Sequence, residues 1–289
     1  MKDLAGKVAV ITGAAGGIGA ALALECAGAG MDIALADLDE VGMRAVAEKI
    51  SALGRRSICV RTDVRNADAV QALLDRTLAE LGSCHVVINN AGVFSAVPLI
   101  DTSAAQFQRV IDINIVGVVN GSRIFGKHFA QQGAGHIVNT ASAAGLFPVP
   151  GMSAYSLSKF AVVAFSLQLR WEIAGQGVGV TVLCPGTVNT PIVTREGVGF
   201  KADEANKMIK NAPKPEGLAK KAVRAIRRNS PVVRYGAEAY AINVLSILPF
   251  WIADPLGKLL ARTALSVVAE STVPAAEPAA EPPTRAKQN

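Results

Sequence analysis

The stretch "SAYSLSKF", residues 153–160, sets Tyr155 and Lys159 four positions apart. On a helix such residues stack on one face, which would place an ammonium beside a phenol. A free phenol titrates near pH ~10 and is a poor base at neutral pH. Bringing it to ~7 needs about 4 kcal/mol of preference for phenolate, at ~1.4 kcal/mol per unit. A nearby cation in a water-poor cleft supplies part of that. The pair is therefore either a proton-transfer device or a surface accident, and the choice rests on what else the chain brings to it.

A second stretch, "TGAAGGIG" (12–19), suggests an anion to go with it. Gly13 permits a tight turn, Gly17 lets the backbone approach a pyrophosphate, and Gly19 allows close helix–strand contact. Exposed N–H groups and the helix dipole then favour negative charge. Asp37 lies 18 residues past Gly19. A carboxylate there can accept both hydroxyls of an adenosine ribose and repel a 2′-phosphate; its competing reading is a strand-end turn residue. No Lys or Arg occurs in the glycine turn or in "LDE" after Asp37, so NAD is preferred over NADP.

The elements that must hold these groups follow from periodicity. Residues 7–12, 32–37, 57–62, 85–89, 136–142, 179–186 and 231–235 read as short strands, nearly all of them continuous apolar runs. Helical patterns lie between them, near 17–29, 40–53, 66–81, 103–131 and 154–174, followed by a helical flap over 190–214 and an amphipathic helix over 216–229. This alternation predicts an α/β fold, a doubly wound (Rossmann) three-layer sandwich on a mostly parallel seven-stranded sheet. Residues 1–265 are expected to form one domain, within the size such folds reach. The Pro/Ala/Glu-rich end, 266–289, is expected to be disordered.

Composition narrows the function classes. Aromatic residues make up 5% of the 289, which argues against an aromatic binding platform. Residues 201–234 carry +7, from ten Lys/Arg against Asp203, Glu204 and Glu216, so the rest of the chain sums to −1. With no nucleic-acid motif beside it, that charge reads first as a solvated face. Cys26, Cys59, Cys84 and Cys184 are scattered and apolar-flanked, which predicts reduced thiols and a cytoplasmic setting. His85, His128 and His136 lack ligand spacing, and no metal is expected. A strand begins almost at once, which leaves no room for a signal peptide.

With "TGAAGGIG", "NNAG" (89–92), "YSLSK" (155–159) and "PG" (185–186) in this order, the chain resembles the short-chain dehydrogenase/reductase family over about residues 5–235. The resemblance implies a catalytic tetrad of Asn114, Ser142, Tyr155 and Lys159. Ser142 would orient substrate, Tyr155 act as general acid/base, Lys159 lower its pKa and bind the nicotinamide ribose, and Asn114 hold a relay water. It also implies cofactor contacts from Gly13, Gly17, Ile18 and Gly19, and from Asp37, Asp63 and Val64. Asn89, Ala91 and Gly92 would support the cofactor, and Pro185, Gly186, Val188 and Thr190 would meet its nicotinamide end. Ala141 departs from the pattern, where many relatives carry a second serine. Taken alone, Ser142 and Asn114 also read as a turn residue and a helix-interior polar residue.

The expected reaction is hydride exchange between NAD(H) and a hydrophobic secondary alcohol or ketone, steroid-like, terpenoid, aryl or long-chain. Candidate lining residues are Ala143, Ala144, Leu146, Phe147, Val149, Met152, Val193, Phe200 and parts of 239–252, with no Arg or Lys over 143–152. Rival readings are an NADPH-dependent 3-oxoacyl reductase, a non-catalytic cofactor sensor and a membrane-surface lipid or retinoid dehydrogenase. The last would touch the membrane through 216–261, where a basic run precedes an apolar one. Second apolar faces on 103–131 and 154–174 suggest a homodimer or homotetramer.

Overall fold

The computed structural model describes residues 1–192, 199 and 201–267. Seven strands, β1 Val8–Thr12, β2 Asp32–Asp37, β3 Ser57–Arg61, β4 Val86–Asn89, β5 Gly135–Thr140, β6 Val178–Pro185 and β7 Val232–Tyr235, form one sheet. Its order is β3-β2-β1-β4-β5-β6-β7, and every pairing is parallel. The strand order reverses between β1 and β4, where ligands of open α/β sheets lie beyond the carboxyl ends.

Alternation along β1 shows why the runs are apolar throughout. Ala9 and Ile11 join a core with Leu22, Met43, Ile50, Leu218 and Ile226. Val8 and Val10 join another with Leu73, Leu74, Phe125 and Phe129. Helices α1 Gly17–Gly28, α2 Glu40–Ala52 and, later in the chain, α8 Pro215–Arg228 supply the first layer; α3 Ala67–Leu81 and α5 Gly117–Gln132 supply the second. Helix α1 is built mostly of Ala, Gly and Leu, and its small side chains let α8 lie against it.

The stretch 103–131 is not one regular helix. Helix α4 Ala104–Ile111, capped by a reciprocal Ser103–Gln106 box, runs into a π-helical turn, Asp112–Val116, before α5 begins. Such a turn inserts one extra residue and often marks a functional position. Helix α6 spans Ser153–Glu172 and carries both Tyr155 and Lys159.

In the flap, α7 covers Ala202–Asn211, whereas Val193 and Phe200 lie outside the described residues. The late apolar stretch divides into α9 Ala237–Ser246 and α10 Phe250–Val267, separated at Pro249. Helix α10 reaches Val267, past residue 266 where disorder was expected to begin; 268–289 lie outside the described residues. Among the described residues no helix is long and apolar enough to cross a membrane, and no acidic, His or Cys cluster could hold a metal.

Candidate active site

The ends of β1, β4 and β5 are tied by their own polar side chains. Thr12 Oγ1 accepts the N–H groups of Asn90 and Ala91 at 2.9 and 3.0 Å. The Asn90 amide donates back to Thr12 O and Gly13 O, at 3.0 and 3.3 Å. Thr140 Oγ1 donates to Asn90 Oδ1 at 3.4 Å, and Thr140 O accepts from Lys159 Nζ at 3.0 Å. The glycine turn, the "NNAG" loop and the active-site lysine thus share one frame.

That frame leaves little space for side chains at Gly13, Gly17 and Gly19. Gly13 has φ +66° with Ala91 Cα 2.9 Å from where a Cβ would stand. A Cβ at Gly19 would lie 1.9 Å from Gly13 O, and one at Gly17, φ +53°, would lie 3.3 Å from Thr190 Cβ. No side chain caps the N-terminus of α1 and no acidic residue occupies its first turn, so its N–H groups are left for an anion. These features fit a dinucleotide pyrophosphate. Thr190, buried, stands beside Gly17, and Val188 is also buried. The Ile18 side chain packs into the core.

Asp37 caps the end of β2. Its Oδ2 accepts from Ala15 N at 2.9 Å, and its Oδ1 from Leu38 N and Asp39 N at 2.7 and 3.1 Å. It closes the turn and lies against the glycine loop. The nearby Arg44 and Arg61 both face Glu40, at 3.6 and 4.0 Å.

Ser142, Tyr155 and Lys159 converge from β5's end and α6. Ser142 lies two residues past β5; its hydroxyl accepts from Ala144 N at 3.2 Å and donates to Pro185 O at 3.4 Å. Lys159 Nζ sits 5.5 Å from the centre of the Tyr155 ring. Phe94 closes the other side of that ring edge-on, with centroids 4.9 Å apart. Asn114, fully buried in the π-helical turn, clasps Val93: its Oδ1 accepts Val93 N at 2.8 Å while its Nδ2 donates to Val93 O at 2.9 Å. The same Nδ2 reaches Ser158 Oγ at 3.1 Å. Gly92 lies against both, since a Cβ there would meet Asn114 Oδ1 at 3.1 Å and Lys159 Nζ at 3.5 Å.

Burial pushes the Tyr155 phenol up from its ordinary value, and the Ser142 hydroxyl beside it pulls it back only in part. Burial also pushes the Lys159 ammonium beside it down to about 8. The chain's own groups hold tyrosine protonated and lysine charged near pH 7. Further positive charge beside the phenol is needed to release its proton.

Several expected residues are turned elsewhere. Both amide hydrogens of Asn89 serve a buried network, to Ser122 Oγ at 3.2 Å and Asn139 Oδ1 at 2.8 Å. Asp63 is forked by Arg65, at 2.6 Å for the shortest contact, and that hydrogen bond holds its carboxyl below the usual range. Val64 packs beneath Gly117. Leu146 leans on the core of Val118, Val162 and Val182 rather than only on open space. Sequence reasoning missed Phe94, visible only as the residue two places after "NNAG", and Glu238. One oxygen of Glu238 accepts both Thr187 N and Thr187 Oγ1, at 2.8 and 2.9 Å. It also stands 2.9 Å from where a Gly186 Cβ would be, while Gly186 N donates to Tyr235 O at 2.8 Å.

A family profile described as short chain dehydrogenase matches residues 7–198. The chain belongs to the short-chain dehydrogenase/reductase family. This short-chain dehydrogenase is 38% identical over 252 residues to the "Probable oxidoreductase EphD" of Mycobacterium tuberculosis, covering 83% of this chain but 43% of EphD. It thus spans less than half of that relative's length. It is 34% identical over 209 residues to the 3beta-hydroxysteroid dehydrogenase 2 of Eggerthella lenta, covering 72% of this chain and 79% of the relative. Its fold superposes with TM-score 0.80 on a short-chain dehydrogenase/reductase from Burkholderia phymatum in complex with NAD, at 33% identity over 89% of this chain and 97% of that one. EphD is named an oxidoreductase and the Eggerthella enzyme a dehydrogenase, and the Burkholderia structure holds NAD.

Proposed function

We propose that this chain is an NAD(H)-dependent dehydrogenase that interconverts a hydrophobic secondary alcohol and its ketone. The observation that carries the reading is the placing of Tyr155 beside a buried Lys159, whose Nζ lies 5.5 Å from the ring centre and is tethered to Thr140 O. When bound, the dinucleotide supplies hydride exchange at its nicotinamide C4. Tyr155 Oη moves the proton to or from the substrate oxygen, and Ser142 Oγ steadies that oxygen as charge develops. Lys159, tethered to Thr140 O, holds its ammonium beside the phenol and within reach of a ribose. Asn114 acts on geometry, because its clasp on Val93 fixes the loop that carries Phe94.

The preference for NAD rests on Asp37, whose charge faces the glycine turn with Arg44 and Arg61 already engaged by Glu40. The substrate class rests on the apolar wall: Phe94 against Tyr155, buried Ala143 and Ala144, and α9 packed near them. A steroid-oxidising relative is consistent with it. Exposed Leu157 and Phe160 on α6 fit burial in a homodimer or homotetramer. Residues 1–265 are read as one dehydrogenase domain.

Initial rates with NAD and NADP over a panel of alcohols, alongside Tyr155→Phe, test this directly. The expected result is faster turnover with NAD and bulky apolar alcohols, and a loss of roughly 10²–10⁴-fold in the variant. Undiminished turnover in Tyr155→Phe sinks the mechanism. A preference for NADP or for small polyols sinks the specificity.

A further inference from the structure

Helices α9 and α10 expose apolar side chains that the rest of the fold leaves uncovered. Ala239 is the buried contact of α9, on the side packed towards β7 and the turn at 143–145. Its outer face presents Tyr240 and, one turn on, Val244; Ile247 follows at the helix end, 75% exposed. Trp251 continues the series at 76% exposed, and Leu259 stands out further along α10. Among the described side chains of α10 none is buried, and Ile252, Leu256 and Ala261 are half-buried.

The charges of α10 occupy a single line. Asp254, Lys258 and Arg262 recur every fourth residue, with Lys258 and Asp254 paired at 2.6 Å. Most of the remaining circumference is apolar or small, a pattern that in water demands a cover. At 1.5 Å per residue the 18-residue helix is about 27 Å long. Pro255 and the charged line suit it to lie in an interface rather than to cross one.

Positive charge borders this face. Helix α8 turns Lys220, Arg224, Arg227 and Arg228 to solvent while burying Leu218, Ala222 and Ile226. Lys221 joins it to α9: its Nζ lies 3.3 Å from Tyr240 Oη and over the rings of Tyr235 and Tyr240, at 5.6 and 5.5 Å. A second copy is a poor cover, because a two-fold axis near this face would bring basic helix towards basic helix. The complement of apolar side chains bordered by positive charge is a layer apolar within and negative at its surface.

We propose that α9 and α10, flanked by the basic face of α8, dock the protein on an anionic lipid surface. The inference is independent of the dehydrogenase reading, and its test needs neither dinucleotide nor turnover. The chain has two tryptophans, so Trp171→Phe leaves Trp251 in α10 as the sole reporter. Sucrose-loaded vesicles of phosphatidylcholine mixed with phosphatidylglycerol are expected to sediment this full-length variant and shift Trp251 emission to the blue. High salt should weaken binding at least tenfold. Lys220→Glu with Arg224→Glu should also weaken it by roughly tenfold or more, and Ile247→Ser severalfold, with unchanged thermal midpoints. Absence of binding, or equal binding to phosphatidylcholine alone, overturns the proposal. So does a blue shift without vesicles: if it grows with protein concentration, a second copy is the cover. If it instead disappears on removal of 268–289, the chain's own end is.

Discussion

At the carboxyl ends of β1, β4 and β5 the polar side chains hold one another. Thr12, Asn90 and Thr140 each bond across strands, and Lys159 and Asn114 join the same frame from the helices. Beyond β7 the chain is organised differently: α9 rests on Ala239 and a few polar ties, and α10 on less. The first region is over-determined, so a new atom there must displace backbone. The second tolerates change but has apolar surface to cover. Groups that move protons need the first kind of setting, because an ångström of slack lengthens every transfer. Surfaces that meet varied partners can be built the second way.

A single methyl group tests how rigid the frame is. Gly19→Ala puts a Cβ 1.9 Å from Gly13 O and 2.8 Å from Asn90 Nδ2. Overpacking of this kind costs about 1–3 kcal/mol and would spread the turn. Dinucleotide affinity measured by titration calorimetry should fall by more than ~100-fold, since the anion-facing N–H groups lose register. Gly28→Ala, at the other end of the same helix, has nothing within 4 Å of the new Cβ. It should leave affinity unchanged and stability equal or slightly raised. Parent-like binding by Gly19→Ala would show that the frame yields.

Acid probes the body away from that frame. His136, second residue of β5, is buried and faces Thr181 Oγ1 at 2.8 Å; burial pushes its pKa down to about 3. The unfolded chain binds a proton there below about pH 6.5 and the folded chain does not, so stability falls as pH drops through the window from 6.5 towards 3. By pH 5 the loss should be about 2 kcal/mol, at ~1.4 kcal/mol per unit. Urea midpoints of the parent against His136→Gln read it. Parallel pH profiles in the two proteins would remove the imidazole from the account.

Much of the first region is legible in sequence, because its constraints are local or run in fixed order. Continuous apolar runs announce strands covered on both faces, and Gly13, Gly17 and Gly19 announce a turn with little space for Cβ atoms. The alternatives left open for Asp37 could not be separated from spacing, since one carboxylate both closes the turn and faces the loop. The π-helical turn at Asp112–Val116 escaped because one inserted residue hardly disturbs a 3.6-residue rhythm. Asn89 and Asp63 were assigned by motif, but side-chain direction is decided by neighbours: Asn139 lies 50 residues away, and Arg65 only two. For the phenol, a sequence reveals the neighbouring ammonium but not the depth at which both groups are buried, and burial opposes the ammonium's effect.

The smallest expected effect falls where the two regions join. Glu238, in the first turn of α9, reaches back 51 residues to hold Thr187 by its N–H and its hydroxyl through one carboxylate oxygen. Through that loop α9 touches the segment from Pro185 to Thr190, whose far end stands against Gly17. Glu238→Ala removes the acceptor and should raise KM for the dinucleotide severalfold while kcat stays within about twofold, because the proton-transfer groups are held by other bonds. Glu238→Gln keeps an acceptor oxygen of the same reach and should recover most of the loss. A structural role alone would instead move the thermal midpoint of both variants together and leave KM untouched. If Ala and Gln both match the parent, α9 is no part of the site's frame. The boundary between the rigid region and the adaptable one then falls at β7, before Glu238 rather than after it.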